Sequence, residues 1–425
     1  MVSKKQALQL SDSFLFPKLF QAFRIAVGPG KLMVALLGLI VICLAGYVMD
    51  FSRTVVVAPA AGGTSSELDV YMTSPSPDQA VVEFRKEYEA KGSRTGVFST
   101  LWDFGSKKFH TTLRNLFEMN FAGAAESIGG YFKGVRWAMR FHYGYCLAFA
   151  LIKLAVFSVV GGAVCRMAAL QFARGEKPGV IEALRFSSQR FTSFFFAPIL
   201  PVIGIGIIAA IIFVLGLTLR IPYLGELIVM APIILLVLVL GAAIAAVIVG
   251  TVGGFDLMFP AVAYDGSDAF DAMSRSFSYV FSRPWRMCFY TLIAAVHGAV
   301  CYVCVRLLAF ILLSVTHLVF SFAFGLGGDA EKLSAIWARP ELMNLLGSSS
   351  AATAGWTEDV AAFIIYLFLW VVAGLVVSVA ITYYFSANTI IYSLMRKEVD
   401  NAGLDEIYDD SAESEMNCIA DSTNS

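Results

Sequence analysis

The sequence predicts an all-α fold: a polytopic transmembrane helical bundle of about six spans, with amphipathic interfacial helices between some of them. Three observations carry that reading. Several apolar runs exceed the roughly 20 residues that a helix needs to cross a bilayer. Only 15% of the 425 residues are charged and 58% are hydrophobic, whereas soluble domains carry about 25% charged residues. Lysine and arginine gather in alternate connectors, the pattern that marks the cytoplasmic side of membrane proteins. A soluble domain has no core large enough to hide so many long apolar runs.

Residues 1–30 read as a cytoplasmic interfacial segment. Lys4, Lys5, Lys18 and Arg24 face a single acid, Asp12, and Phe14, Phe16, Phe20 and Phe23 supply an aromatic face. That composition suits a short helix lying in the membrane surface. Gly28-Pro29-Gly30 ends it. Residues 31–49 (KLMVALLGLIVICLAGYVM) form the first transmembrane helix. The residues before it are too long and mixed for a cleavable signal peptide, so the span is expected to be retained.

Residues 50–142 are the only sizeable polar stretch and read as an extracytoplasmic helical region. Its opening, rich in Ala, Gly, Ser and Thr, is expected to be flexible. Pro75 and Pro77 bracket a turn, and residues 78–91 form a charged helix. Phe98, Leu101, Trp102, Phe109, Leu113, Leu116 and Phe117 recur near every 3.6 residues, which predicts an amphipathic helix over 96–120. Residues 129–141 resemble an interfacial helix leading into the bilayer. These apolar faces read as meant for the membrane or for other helices, and an independent globular domain is not expected.

Residues 143–397 form a five-span membrane domain. The spans are expected at 143–170, 194–219, 227–259, 287–313 and between Val360 and Leu394. The apolar run starting at Met287 continues to Phe324, well past the ~30 Å hydrocarbon core. It is either one long helix or a span that breaks near Ser314. Residues 325–359 form a Gly/Ser/Ala-rich outer loop with a short helix near 331–346. Residues 398–425 contain no basic residue and read as an acidic disordered tail.

Loop charge sets the expected topology. The connector 171–193 holds Arg174, Lys177, Arg185 and Arg190, and the connector 261–286 holds Arg275, Arg283 and Arg286. With six spans, both termini and both connectors lie in the cytoplasm. The connectors also echo each other. At an offset of 89 residues Gly161 meets Gly250, Ala183 meets Ala272, Ser187 meets Ser276 and Phe196 meets Trp285. This reads either as a parallel duplication or as two helices obeying one interfacial composition.

Few residues invite a chemical role. Lys153 sits about ten residues into the second span and Asp256 near the inner end of the fourth. Intramembrane charges are costly and often functional, so these two are the candidate substrate or ion contacts. The alternatives are snorkelling or a partner such as Glu226 for Lys153, and helix capping or an arginine partner for Asp256. Arg306 is expected to snorkel to the outer interface. His297, Cys301 and Cys304 share one helical face, which could present soft ligands; cysteine more often packs as a small apolar residue, and no metal is expected. No zincin, nucleophile-elbow or phosphate-loop motif occurs. Neither a catalytic residue nor a cofactor is expected. No basic footprint suggests nucleic acid. The expected partners are membrane lipids, with the acidic tail and the outer loop as candidate protein-docking elements.

Three segments carry a family resemblance: GGAVCRMAALQFARGEKPGVIEALRF (161–186), DGSDAFDAMSRSFSYVFSRPWR (265–286) and TIIYSLMRKEVDNAGLDEIY (389–408). They resemble a family of uncharacterised bacterial polytopic membrane proteins. More loosely, the amphipathic connector resembles the membrane domains attached to some glycerophosphodiester phosphodiesterases. The closer resemblance covers roughly residues 140–408 and implies a bacterial inner-membrane protein; it implies no activity. The looser one implies no phosphodiesterase, because the carboxylate and histidine set for a metal is missing. The expected function is therefore a non-enzymatic scaffold or membrane-organising protein. A transporter or permease is the alternative, and it requires a polar mid-membrane cavity containing Lys153 or Asp256. A lipid-modifying enzyme ranks third.

Overall fold

A computed structural model describes residues 16–60, 63–88, 92–218, 230–326, 333, 336–347 and 355–408. Six helices are long and apolar enough to cross a membrane: Pro29–Ser52, Tyr143–Ala173, Leu200–Leu217, Ile233–Asp265, Pro284–Gly325 and Trp356–Asp400. The chain is a multi-pass, predominantly helical membrane protein, as its apolar runs require. It divides into two compact units. The first comprises Met1–Leu36, Phe157–Val303 and Val377–Ser425, the second Leu37–Val156 and Cys304–Val376.

The first unit begins with α1 (Gln21–Ala26) and the start of α2 (Pro29–Met49). Its centre is made by the ends of three long helices, α7 (Tyr143–Ala173), α11 (Met230–Asp265) and α14 (Trp356–Asp400). Residues 160–170, 257–264 and 385–395 are buried on every face. A helix buried all round has protein on all sides. The wrapping comes from α8 (Val180–Gln189), α9 (Phe191–Phe196) and α12 (Ala269–Ser282), with α10 (Leu200–Thr218) and the start of α13 (Pro284–Leu326). The chain leaves the three central helices through positive φ angles at Gly175 (72°), Gly266 (65°) and Asn401 (55°). Glycine and asparagine tolerate that left-handed conformation where a helix stops. At Gly266 a side chain would also strike the Tyr408 ring.

At some positions 89 apart the two connectors share their burial. Ala183 and Ala272 are buried, as are Ser187 and Ser276. Ile181 and Phe270 are 83% and 66% exposed, and Phe196 and Trp285 are 45% and 84% exposed. The small side chains let each connector helix lie close against a span. A Cβ on Gly162 would meet Ser187, and one on Gly254 would meet Ser276. One side of the first connector is packed against the protein. Ala183, Phe186 and Ser187 make that side, and Ile181 points away from the protein.

The second unit holds residues 50–142 together with parts of the spans. The stretch expected to be flexible is a hairpin: β1 (Val55–Ala60) pairs antiparallel with β2 (Gly63–Ser66) and with β3 (Ser93–Thr95). Val55, Val56 and Ala58 are buried. Three helices, α3 (Glu67–Thr73), α4 (Pro77–Tyr88) and α5 (Val97–Phe117), follow in order, then α6 (Phe121–Phe141). A core of Val55, Leu68, Tyr71, Val81, Val97, Trp137 and Ala138 joins sheet and helices. Asp50 caps α5 by accepting the N–H groups of Phe98 and Ser99, each at 2.8 Å. Gly96 makes this approach feasible, since a Cβ there would overlap the Asp50 carboxylate.

The run from Met287 is settled as one helix. The 43 residues of α13 continue unbroken through Ser314, a length of about 65 Å at 1.5 Å per residue. That is about twice the hydrocarbon thickness. Of the expected outer loop, residues 325–326, 333, 336–347 and 355–359 are described. Trp337 and Leu345 are buried there, and Trp337 packs against His317 with ring centroids 5.1 Å apart.

Candidate functional site

The two candidate contacts from the sequence fall in different units. Lys153 is exposed and makes no hydrogen bond or ion pair among the described residues. Glu226, its suggested partner, lies outside those residues. Asp256 is partly buried in the first unit and accepts a hydrogen bond from the Tyr384 hydroxyl; its partner is a tyrosine, where the sequence offered helix capping or an arginine. Neither residue lines any of the three pockets described below.

Arg306 departs from expectation. It is 7% exposed and donates to the carbonyls of Leu342 at 2.9 Å and Met343 at 2.6 Å, with its guanidinium over the Phe109 ring. The fold supplies acceptors inside the protein, so the side chain does not reach for water. His297 is also engaged: its Nδ1 meets the Tyr383 hydroxyl at 2.9 Å, and its Nε2 meets Cys301 Sγ at 3.4 Å. No group of three His, Cys, Asp or Glu side chains is placed to hold a metal among the described residues.

The densest polar constellation was not singled out from the sequence. It lies in the first unit around Asp265, whose side chain is 7% exposed. Asp265 accepts the Tyr392 hydroxyl. It also pairs with Arg396 at 3.2 Å and Arg275 at 3.3 Å. Arg275 reaches Asp271 one turn away at 2.8 Å, and these two carboxylates raise its pKa against the opposing effect of burial. Alongside, Tyr279 donates to Asp400 and Tyr290 to Glu398, each at 2.5 Å, and Arg286 pairs with Glu398 at 2.6 Å. Burial, then the Asp400 hydrogen bond, pushes the Tyr279 hydroxyl well above its ordinary pKa.

Residues 401–408 are strapped onto this cluster. Arg166, itself buried, donates to the carbonyls of Ala263 at 3.1 Å and Tyr408 at 2.9 Å. Arg190 stacks over the Tyr408 ring and donates to Gly266 O. Arg396 donates to Glu406 O at 2.6 Å. The cluster leaves an open pocket of about 430 Å³. Arg174, Arg275 and Arg396 line it beside Asp265 and Glu406, without a histidine, cysteine, serine or threonine. Its charges largely answer one another, an arrangement suited to locking helix ends together. One signal was present in the sequence: Tyr392, Arg396 and Asp400 are spaced i, i+4, i+8 and so share a helical face.

A second buried network lies in the other unit. Glu67 is fully buried and accepts from Arg85 Nη2 at 2.6 Å and from Val56 N–H at 2.7 Å. His142 Nε2 stands 3.6 Å from the same carboxylate, while its Nδ1 meets the Thr54 hydroxyl at 3.2 Å. Burial alone would raise the pKa of Glu67. The nearby His142 and hydrogen bonds from Arg85 and Val56 outweigh it and hold the carboxyl below its usual range. Arg85 and His142 line a pocket of about 600 Å³ with Thr54 and Tyr145. The sequence offered only the Ser66–Asp69 capping box as a local signal here.

No protein-family model, curated protein or solved structure matches this chain.

Proposed function

We propose that the protein is a non-enzymatic, membrane-organising scaffold of a bacterial cytoplasmic membrane, with both termini and both connectors on the cytoplasmic side. The observation that supports this most is the pair of connectors. In each, small residues such as Ala183 and Ala272 pack inward with some of the large apolar ones, such as Phe186 and Tyr279, while other large apolar side chains point away from the protein: Ile181 on one, Phe270, Phe281 and Trp285 on or beside the other. Arg185, Arg190, Arg275, Arg283 and Arg286 accompany them. Apolar side chains with flanking arginines favour the boundary between headgroups and acyl chains of an anionic leaflet. The connectors thus form an interfacial collar, and the Asp265 lock holds the helix ends that carry it.

Reconstitution tests this reading. The full chain is placed in vesicles containing fluorescent phosphatidylglycerol, and lateral clustering is read by self-quenching. A scaffold increases quenching, and Ile181→Glu with Phe270→Glu abolishes the increase. If quenching matches empty vesicles, and the same vesicles accumulate solutes from a metabolite extract in a manner lost in Lys153→Ala or Asp256→Asn, the protein is a transporter and the scaffold reading fails.

A further inference from the structure

A third pocket, of about 800 Å³, lies in the first unit where two spans end. One wall is the amino-terminal turn of α2 with the preceding residues from Phe23; the other is the end of α7 with Lys177 and Pro178. Arg24, Lys31 and Lys177 line it, and among the described residues no acidic side chain does. Lys31 is only 4% exposed. Its ammonium donates to Ile25 O at 2.8 Å and Gln171 Oε1 at 2.5 Å, both neutral acceptors. Lys177 is near enough to repel the Lys31 charge. Among the described residues, none of the three cations has a carboxylate within ion-pair distance.

This contrasts with the Asp265 pocket, where arginines are answered by carboxylates. Burying an ammonium without a counter-charge is costly, and bringing two more cations to the same cavity adds repulsion. The site therefore has an unmet demand for an anion. The fold adds to it. The N–H groups of Gly30 and Lys31 precede the first intrahelical bond of α2, and such donors with the helix dipole favour anions. Phe23, Val27 and Met167 supply apolar wall. Cations beside apolar side chains, at the point where spans meet the membrane boundary, match a phosphate whose acyl chains lie alongside.

We propose that this pocket binds a phosphate anion, presented as the headgroup of an anionic phospholipid. The site rests on its own lining and stands whether the protein organises the membrane or transports a solute. The shared chemistry is a phosphate mono- or diester, and a free phosphate would satisfy the same cations.

The test uses full-length protein in detergent, with lipid retention counted by native mass spectrometry. Arg24→Gln with Lys177→Gln removes two exposed cations and spares the buried Lys31. A control, Lys133→Gln with Arg136→Gln, removes the same charge elsewhere. The double variant is expected to retain phosphatidylglycerol roughly 10- to 30-fold more weakly, about what two surface cations contribute against an anionic lipid. Phosphatidylcholine retention stays unchanged, and the control behaves as the parent protein. Free phosphate as the occupant predicts instead that inorganic phosphate raises the melting temperature of the parent protein but not of the double variant, with lipid retention equal in both. Equal lipid retention without phosphate stabilisation overturns the proposal, as does an equal loss in the control. Matching melting temperatures without ligand show that the double variant is folded.

Discussion

Two buried carboxylates, one in each unit, show how differently this chain uses the same chemistry. Glu67 is fully buried and holds segments between Thr54 and His142, all within one stretch of sequence. Asp265 is nearly as buried but joins α11, α12 and α14, whose contributing residues span Asp265 to Arg396. The arginines differ as well. Arg85 is 32% exposed and can turn to water, whereas Arg396 is 15% exposed and lies over the Tyr264 ring. Glu67 is thus a centre for a small local core, and Asp265 is a clasp between distant helix ends. The consequence of losing each depends on what becomes of its arginine.

Substitutions can break that contrast. The largest effect is expected for Asp265→Ala, which leaves Arg396 in a poorly solvated site with only Glu406 to answer it. Removing one partner of a buried ion pair costs about 3–5 kcal/mol, to be read as a loss of unfolding free energy in mixed micelles. Glu67→Ala should cost less, about 2–3 kcal/mol, because Arg85 can reach solvent while the Val56 N–H loses its acceptor. Hydrogen exchange should show its effect confined to β1 and its neighbours. An equal loss of protection around Tyr392 would remove the distinction between a local centre and a clasp.

Acid should separate the two regions further. The folded pKa of Glu67 lies below its ordinary value, so its contribution is complete above the unfolded value of about 4.3. That contribution is lost as pH falls through the folded pKa. Protection of the β1 amides, corrected for intrinsic exchange, should therefore hold from neutral pH to about 5 and decline below about 4. Glu67→Gln should flatten this dependence. A smaller effect, about 1 kcal/mol, is expected for Tyr392→Phe, which removes one donor from Asp265 and leaves both arginines. Smallest is the difference between the connector serines. Ser187→Ala loses contacts to the carbonyls of Ser158 and Val159, whereas Ser276→Ala loses only a bond to Ala272 O within its own helix.

Much of the architecture was legible because bilayer crossing and helix amphipathicity are local properties of sequence. The six long helices and the helical connectors follow from run length and from the 3.6-residue period. The hairpin at β1 and β2 was not legible. Its Ala, Gly and Pro content reads as flexible, and its burial depends on Leu68, Val81 and Trp137 arriving from elsewhere. The burial of Arg306 is not legible for a related reason: its acceptors, Leu342 O and Met343 O, are more than thirty residues away. The Asp265 clasp was hidden by separation too, although the Tyr392, Arg396 and Asp400 face could have flagged it. Lys153 and Asp256 drew notice as charges in apolar runs, yet the fold keeps them apart from every pocket described.

The central claim is that the connectors form one interfacial collar. Nitroxide labels at Ile181→Cys and Phe270→Cys, in a full-length background lacking the native cysteines, test it most directly. In bilayers, accessibility to oxygen and to a water-soluble nickel chelate reports depth. Equal depths at the headgroup–acyl boundary, about 5–10 Å below the surface, are the predicted result. A label freely accessible to the chelate, or two labels at clearly different depths, would contradict the account.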